Sequence, residues 1–217
     1  AEEEGYNLLI THSNEDYERE VRSVETLLEA RVCGILISQS KTTNRYSHFQ
    51  DIIDNNVNLI FFDRICTGIN TDKVVVDDYA GAFNAVEYLI QTGCSRIAYL
   101  GSTPQMPISN NRRMGYEDAL KKHKLPVDKN LMRVCDNVKQ AKEIVPQMLK
   151  SWNVPDAFFC INDEVGAACI QIAKSLGFKV PDDISVCGFT NSYIPEVTYP
   201  RLTSVDQHGV EMGKVAA

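Results

Sequence analysis

Apolar residues along the chain gather into short consecutive runs instead of alternating with polar ones: 7–11 (NLLIT), 33–38 (CGILIS), 58–63 (NLIFFD), 73–77 (KVVVD), 96–101 (RIAYLG), 157–161 (AFFCI) and 184–189 (ISVCGF). Runs of this length, rich in β-branched and aromatic residues, predict strands covered on both faces, as in a parallel sheet. Between them the pattern changes to helical period. Val21, Val24, Leu27 and Leu28 share one stripe, and so do Ala82, Ala85, Val86 and Leu89, with Gly93 where that helix should stop. Further helices are expected over 112–123, ending near Pro126, and over 164–176, ending at Gly177.

Strand and helix thus alternate from one end to the other, which predicts right-handed βαβ units and a doubly wound α/β sheet. The polar, turn-rich stretch 64–72 (RICTGINTD) and the fresh helical pattern near Tyr79 put a lobe boundary close to residue 77. The tail 203–217 reads as a strand followed by an amphipathic helix that stops at Ala217 without Gly, Pro or a basic cap, and is expected to be cut short. The Ala-Glu-Glu-Glu start likewise reads as the end of something upstream.

The 217 residues leave room for a full core, and 44% apolar with 24% charged residues excludes a disordered chain. Asp and Glu outnumber Lys and Arg 29 to 22, a formal charge of −7, so these residues alone offer little to a phosphate backbone. Seven scattered cysteines, mostly within apolar runs, fit reduced buried thiols of a cytosolic protein better than a disulfide framework. Nothing approaches the ~18 apolar residues of a membrane span, and no signal-peptide pattern opens the chain.

Enzyme motifs are missing. No G-x-G-x-x-G follows a strand; Gly209 to Lys214 falls one residue short of a P-loop and reads as helix; Gly93-Cys94-Ser95-Arg96-Ile97 fails the nucleophile elbow at its last position. His12, His48, His123 and His208 lack metal-ligand spacing and are expected at surfaces or caps. No cofactor and no metal is expected.

In an open α/β sheet, ligands bind beyond the carboxyl ends of the strands. The residues just after each run are Ser13, Ser38 with Gln39, Asp63 with Arg64, Gly101 with Ser102, Asn162 with Asp163, and Thr190 with Asn191. That is a hydrogen-bonding set with no nucleophile and base, suited to a polyhydroxylated small molecule. Each member also has a plainer reading. Asn162 or Asp163 caps a helix; Asp63 and Arg64 form a turn ion pair; Arg112 and Arg113 lie on a solvated first helical turn; Thr190 and Asn191 form a turn.

Residues 96–101 (RIAYLG), Arg112, 115–120 (GYEDAL), 155–166 (PDAFFCINDEVG), 177–189 (GFKVPDDISVCGF) and 202–206 (LTSVD), in that order, resemble the effector-binding core of LacI/GalR-type transcriptional regulators, whose wider relatives are the type I periplasmic sugar-binding proteins. The resemblance runs from about residue 5 to the end. It implies an α/β, periplasmic-binding-protein-like type I fold: two doubly wound lobes joined by three crossovers near 75–78, 191–193 and 204–207, closing on a ligand held between them. The lobes are then 1–77 plus 205–217, and 78–204. Carried over by position, the implied effector contacts are Ser38, Asp63, Arg64, Arg112, Asn162, Thr190 and Gln207.

Three departures shape the expectation. Thr190 stands where most relatives carry Asp. With Asp63, Arg64 and Arg112 all facing the ligand the local charge is +1, which predicts an acidic effector such as a sugar acid or sugar phosphate. Asp136 and Asn137 occupy the place of the family's aromatic stacking platform. Relatives also begin with an extra strand and helix, preceded by a helix-turn-helix module; neither is in these residues, so the N-terminal lobe is expected to be incomplete and operator DNA to be contacted only through a module absent here.

The reading that results is the ligand-sensing, dimerising core of a cytoplasmic, sugar-responsive transcriptional regulator. It is not an enzyme, is expected to form a homodimer, and binds a small effector but no membrane. A sugar-binding receptor of a transport system is the alternative. A carbohydrate-active enzyme would need a paired acid and base, and only Asp63 and Asp163 offer carboxylates.

Overall fold

The computed structural model describes residues 4–103 and 106–217. They fall into two units, the first running to Val76 and resuming at Val210, the second spanning Asp77–Gly209.

The first unit contains α1 (Tyr17–Glu29), β1 (Gly34–Ile37), α2 (Ser47–Asp54), β2 (Asn58–Phe62) and β3 (Asp72–Val74). Its strands form a parallel sheet in the order β1-β2-β3, with Ile35 opposite Leu59 and Ile37 opposite Phe61. Asp16 starts α1 by accepting from the Arg19 N–H at 2.9 Å, which satisfies one of the four donors a helix start leaves open. Val24, Ile35, Ile37, Phe49, Ile52, Leu59 and Phe61 make one core between the two helices and the sheet. Each buried side chain of this size contributes about 1.5–3 kcal/mol.

Two sequence expectations fail here. Burial alternates along β1, and Leu36 is 43% exposed, so the strand is covered on one face only: the core-forming residues of α1 and α2 pack on the side of Ile35 and Ile37. The run 7–11 forms no strand, and Leu8, Leu9 and Ile10 are exposed. An apolar, β-branched composition gives only a tendency; a strand needs a neighbour to pair its N–H and C=O groups, and among the described residues this segment has none.

The second unit contains α3 (Asp78–Gln91), β4 (Ile97–Gly101), α4 (Pro107–Lys122), β5 (Met132–Val134), α5 (Val138–Leu149), β6 (Ala157–Cys160), α6 (Asp163–Ser175), β7 (Ser185–Thr190), α7 (Ile194–Val197) and β8 (Thr203–Asp206); α8 (Gly209–Ala216) closes the chain. All five strands are parallel, in the order β5-β4-β6-β7-β8. Here the expectation of two covered faces holds. Ile97, Tyr99, Ala157, Phe159, Cys187 and Phe189 join α3 and α4 in one core, while the alternate residues Ala98, Leu100, Phe158, Cys160 and Val186 join α5 and α6 in the other. Gly93 and Gly177, at φ +103° and +90°, end α3 and α6 in the left-handed conformation that costs other residues most.

The strand order reverses at β4, which has β5 on one side and β6 on the other, and the helices following β4 and β6 lie on opposite faces. Such a reversal opens a crevice beyond the carboxyl ends of the two central strands.

Candidate functional site

The crevice of the second unit is bordered by Ser102 after β4 and by Ile161 and Asn162 after β6. Arg112 reaches it from the middle of α4. It is only 4% exposed, not on a solvated first turn. Its Nε and Nη2 each lie 2.8 Å from Asp78 Oδ1, its Nη1 donates to the Ile161 carbonyl at 2.5 Å, and the guanidinium carbon sits 3.5 Å from the centre of the Phe189 ring. A carboxylate, a strand-end carbonyl and an aromatic face thus fix one planar cation from three elements. The sequence missed Asp78, although a signal was there: Asp77 alone caps α3, accepting from Ala80 N–H at 2.9 Å, which leaves the second acid of the pair for another task.

Asn162 is the N-cap of α6. Its Oδ1 accepts from Val165 N–H at 2.9 Å and its Nδ2 donates to the Asp136 carbonyl at 3.0 Å. Asp136 in turn accepts from the Ser102 hydroxyl at 2.7 Å, so the ends of β4 and β6 and the residues after β5 share one polar network. The position where the sequence puts Asp136 in place of an aromatic platform is therefore part of a carboxylate and amide rim.

Asp163, expected at most as a cap, is buried and accepts from Ser192 N–H (2.8 Å), Ser192 Oγ (3.0 Å) and Ser204 Oγ (2.5 Å). It ties the start of α6 to β8 and to the chain leaving β7. Thr190, half-buried at the end of β7, sits at φ +120°, and its carbonyl accepts from Gln207 N–H at 3.3 Å; Gln207 is buried. The second unit thus brings Arg112, Asn162, Thr190 and Gln207 to one end of its sheet.

The first unit holds the other three residues. Gln39 N–H donates to the Arg64 carbonyl at 3.0 Å, which joins the ends of β1 and β2, and Ser38 is half-buried beside that link. Asp63 stands at φ +55°, with its N–H on the Val74 carbonyl at 3.0 Å. The Asp63 to Arg64 ion pair is long, 3.9 Å. Arg64 Nη1 instead contacts both oxygens of Glu15, at 2.8 and 2.7 Å. Burial alone would raise the Glu15 pKa; hydrogen bonds from Arg64 and from the Lys41 N–H outweigh it and hold the carboxyl below its ordinary value.

These pairings correct the charge expectation. Glu15 compensates Arg64 in the first unit, and Asp78 compensates Arg112 in the second. Neither arginine is an unpaired buried cation. His48 is a second correction: it is buried on α2, not at a surface, with Nε2 2.9 Å from Glu20 Oε1. Glu20 also accepts from Ser40 N–H and Thr43 Oγ1, both at 2.6 Å, and so pins the loop that follows Ser38. Among the described residues no group of three or more His, Cys, Asp or Glu side chains is placed to hold a metal ion, and no helix is long and apolar enough to cross a membrane.

Residues 86–217 match the family model for the periplasmic binding protein-like domain. The chain is 29% identical over 215 residues to the HTH-type transcriptional regulator DegA of Bacillus subtilis, an alignment covering 98% of this chain and 64% of DegA. The chain thus spans somewhat less than two thirds of that relative's length. The crystal structure of the transcription regulator CcpA of Lactococcus lactis superimposes with a TM-score of 0.89 at 25% identity, covering 99% of this chain and 78% of CcpA. A sugar-binding transcriptional regulator of the LacI family from Escherichia coli, complexed with phosphate, gives a TM-score of 0.79 at 28% identity, covering 98% of this chain and 77% of that one. These relatives are transcriptional regulators and not enzymes. The chain belongs to the periplasmic binding protein-like domain family, with the effector-binding domain of LacI-type regulators as its counterpart.

Proposed function

We propose that the chain is the effector-binding and dimerising core of a cytoplasmic, LacI-type transcriptional regulator, and that its effector is a small, neutral, polyhydroxylated molecule contacted by residues of both units. Operator DNA is then met by a helix-turn-helix segment of the kind named in DegA. Effector binding shifts the equilibrium between two arrangements of the units, because only a ligand that interacts differently with the two arrangements can move it. Ser38, Asp63 and Arg64 contribute from the first unit, and Arg112, Asn162, Thr190 and Gln207 from the second.

The observation that carries this reading is Arg112, held rigid at the strand-order reversal by Asp78, the Ile161 carbonyl and the Phe189 ring. A planar donor fixed before the ligand arrives loses little freedom on binding. The paired carboxylates favour neutral hydroxyl partners over anions. Calorimetric titration of the chain with ribose, galactose, gluconate and glucose 6-phosphate tests the class: a neutral sugar should bind more tightly than either anion. Preference for an anion would refute the neutral assignment, and the absence of any binding across a wider sugar panel would refute the sugar class.

A further inference from the structure

Trp152, the one tryptophan of the chain, lies in the turn between α5 and β6 and is 95% exposed. Its indole joins neither core of the second unit. It borders a groove of about 440 Å³, a size usual for small-molecule sites. Buried Leu131 and Met148 supply an apolar floor, and Asn130, Gln147 and Asn153 bring amides to the edge. Asp128 holds two of these residues in place, accepting from Asn130 N–H at 2.8 Å and from Asn153 Nδ2 at 3.0 Å.

Arg133 of β5 completes the lining. Its Nη1 donates to the carbonyls of Met132 at 2.9 Å and Lys129 at 3.3 Å, which fixes the guanidinium beside the groove. Among the described residues its Nε and Nη2 make no hydrogen bond. Those two N–H groups form the parallel fork that takes two oxygens of a carboxylate or phosphate. Among the described residues no carboxylate lines the groove, and the stretches 128–133 and 147–153 hold Lys129, Arg133 and Lys150 against one acid, Asp128. On a chain of net charge −7 this is a local excess of positive charge that favours an anion. We propose that the groove is a second binding site, separate from the residues at the strand ends, and that it takes a nucleoside monophosphate. The base stacks on Trp152, and its edge, which both donates and accepts, meets amides that do the same. The phosphate sits on the open fork of Arg133. A sugar phosphate lacks the planar face that the indole offers to match, and an uncharged nucleoside leaves the fork unanswered.

Because Trp152 is the sole tryptophan, its fluorescence reports on this groove and on no other part of the chain. The 217-residue chain is titrated with adenosine monophosphate, adenosine, ribose 5-phosphate and inorganic phosphate while Trp152 emission is followed. Adenosine monophosphate should quench it saturably, and the other three should each bind at least about tenfold more weakly, since each lacks the stacking ring or the charge-assisted bonds. Arg133→Gln should reduce the nucleotide to the affinity of adenosine and leave adenosine itself unchanged. Trp152→Ala, followed by calorimetry, should weaken both; circular dichroism confirms that each variant folds. No saturable quenching by the nucleotide at ~5 mM would overturn the site. Calorimetric binding that leaves Trp152 emission unaltered would place the nucleotide elsewhere and overturn it equally. Inorganic phosphate binding as tightly as the nucleotide would overturn the stacked base, and a nucleotide affinity indifferent to Arg133→Gln would overturn the phosphate fork.

Discussion

Gly188 and Asp163 are packed so closely that a β-carbon on the glycine would stand 2.6 Å from Asp163 Oδ1 and 3.1 Å from Leu202 Cδ2. The carboxylate cannot yield without giving up its bonds to Ser192 and Ser204. Gly188→Ala should therefore destabilise the protein by about 1–3 kcal/mol, seen as a lower urea midpoint, because it overfills a closed space next to a buried polar group. An unchanged midpoint would mean that the strand and α6 separate freely, and that Asp163 does not fasten the end of β7.

Asp78 and Arg112 offer a second test. Removing one partner of a buried pair leaves the other charge uncompensated and costs about 3–5 kcal/mol, whereas replacing both with apolar residues costs much less than the sum. Arg112→Leu should accordingly lower stability strongly, and Asp78→Leu in the same chain should recover part of the loss. Strict additivity of the two changes in a urea-denaturation cycle would argue that the contact is incidental.

The Glu15 and Arg64 contact predicts a pH dependence. The Glu15 pKa is lowered in the folded protein, so its contribution to stability is fully present above the ordinary carboxylate range and is lost as pH falls through the depressed folded value. Carboxyl-carbon NMR should find Glu15 titrating below a typical glutamate, and Arg64→Ala should move it upward. A Glu15 titration that ignores the Arg64 substitution would assign the shift to the Lys41 N–H instead.

Much of the architecture is visible in the order of apolar runs. The runs at 96–101, 157–161 and 184–189 became the buried strands β4, β6 and β7, and Gly93 and Gly177 end helices as their positions suggest. The run at 7–11 did not become a strand, because composition records how a segment would like to sit but not whether a neighbour exists to pair with it. The positions after the strand ends were legible, and the partners of the residues there were not. Residues after the strand ends do gather in each unit, but Glu15 is 49 residues from Arg64 and Asp78 is 34 from Arg112, and no local period links such pairs. The charge expectation left out both carboxylates for that reason. Asn162 shows the same limit on a smaller scale: its type and place fit a cap and a ligand contact equally, and only the geometry reveals both ends of its amide already bonded.

The cysteines behave as buried apolar groups. Of seven free thiols only Cys33 is exposed, and burial pushes Cys135 and Cys187 up to about 12. A thiol so far from ionising is a poor nucleophile. A colorimetric thiol reagent should modify one cysteine quickly in the native protein and all seven after denaturation. Rapid reaction of several would show that the cores around β6 and β7 open readily.

An effector held by residues of both units should lose affinity when either unit's contacts are removed. Isothermal titration should first find the neutral sugar that binds most tightly, and the same sugar should then be titrated into Asp63→Ala, from the first unit, and Gln207→Ala, from the second. Both variants, folded and of near wild-type stability, are predicted to bind at least about tenfold more weakly, as expected when a hydrogen-bonding partner is removed from an enclosed polar site. Undiminished affinity in either one would contradict the proposal that the effector is held by residues of both units.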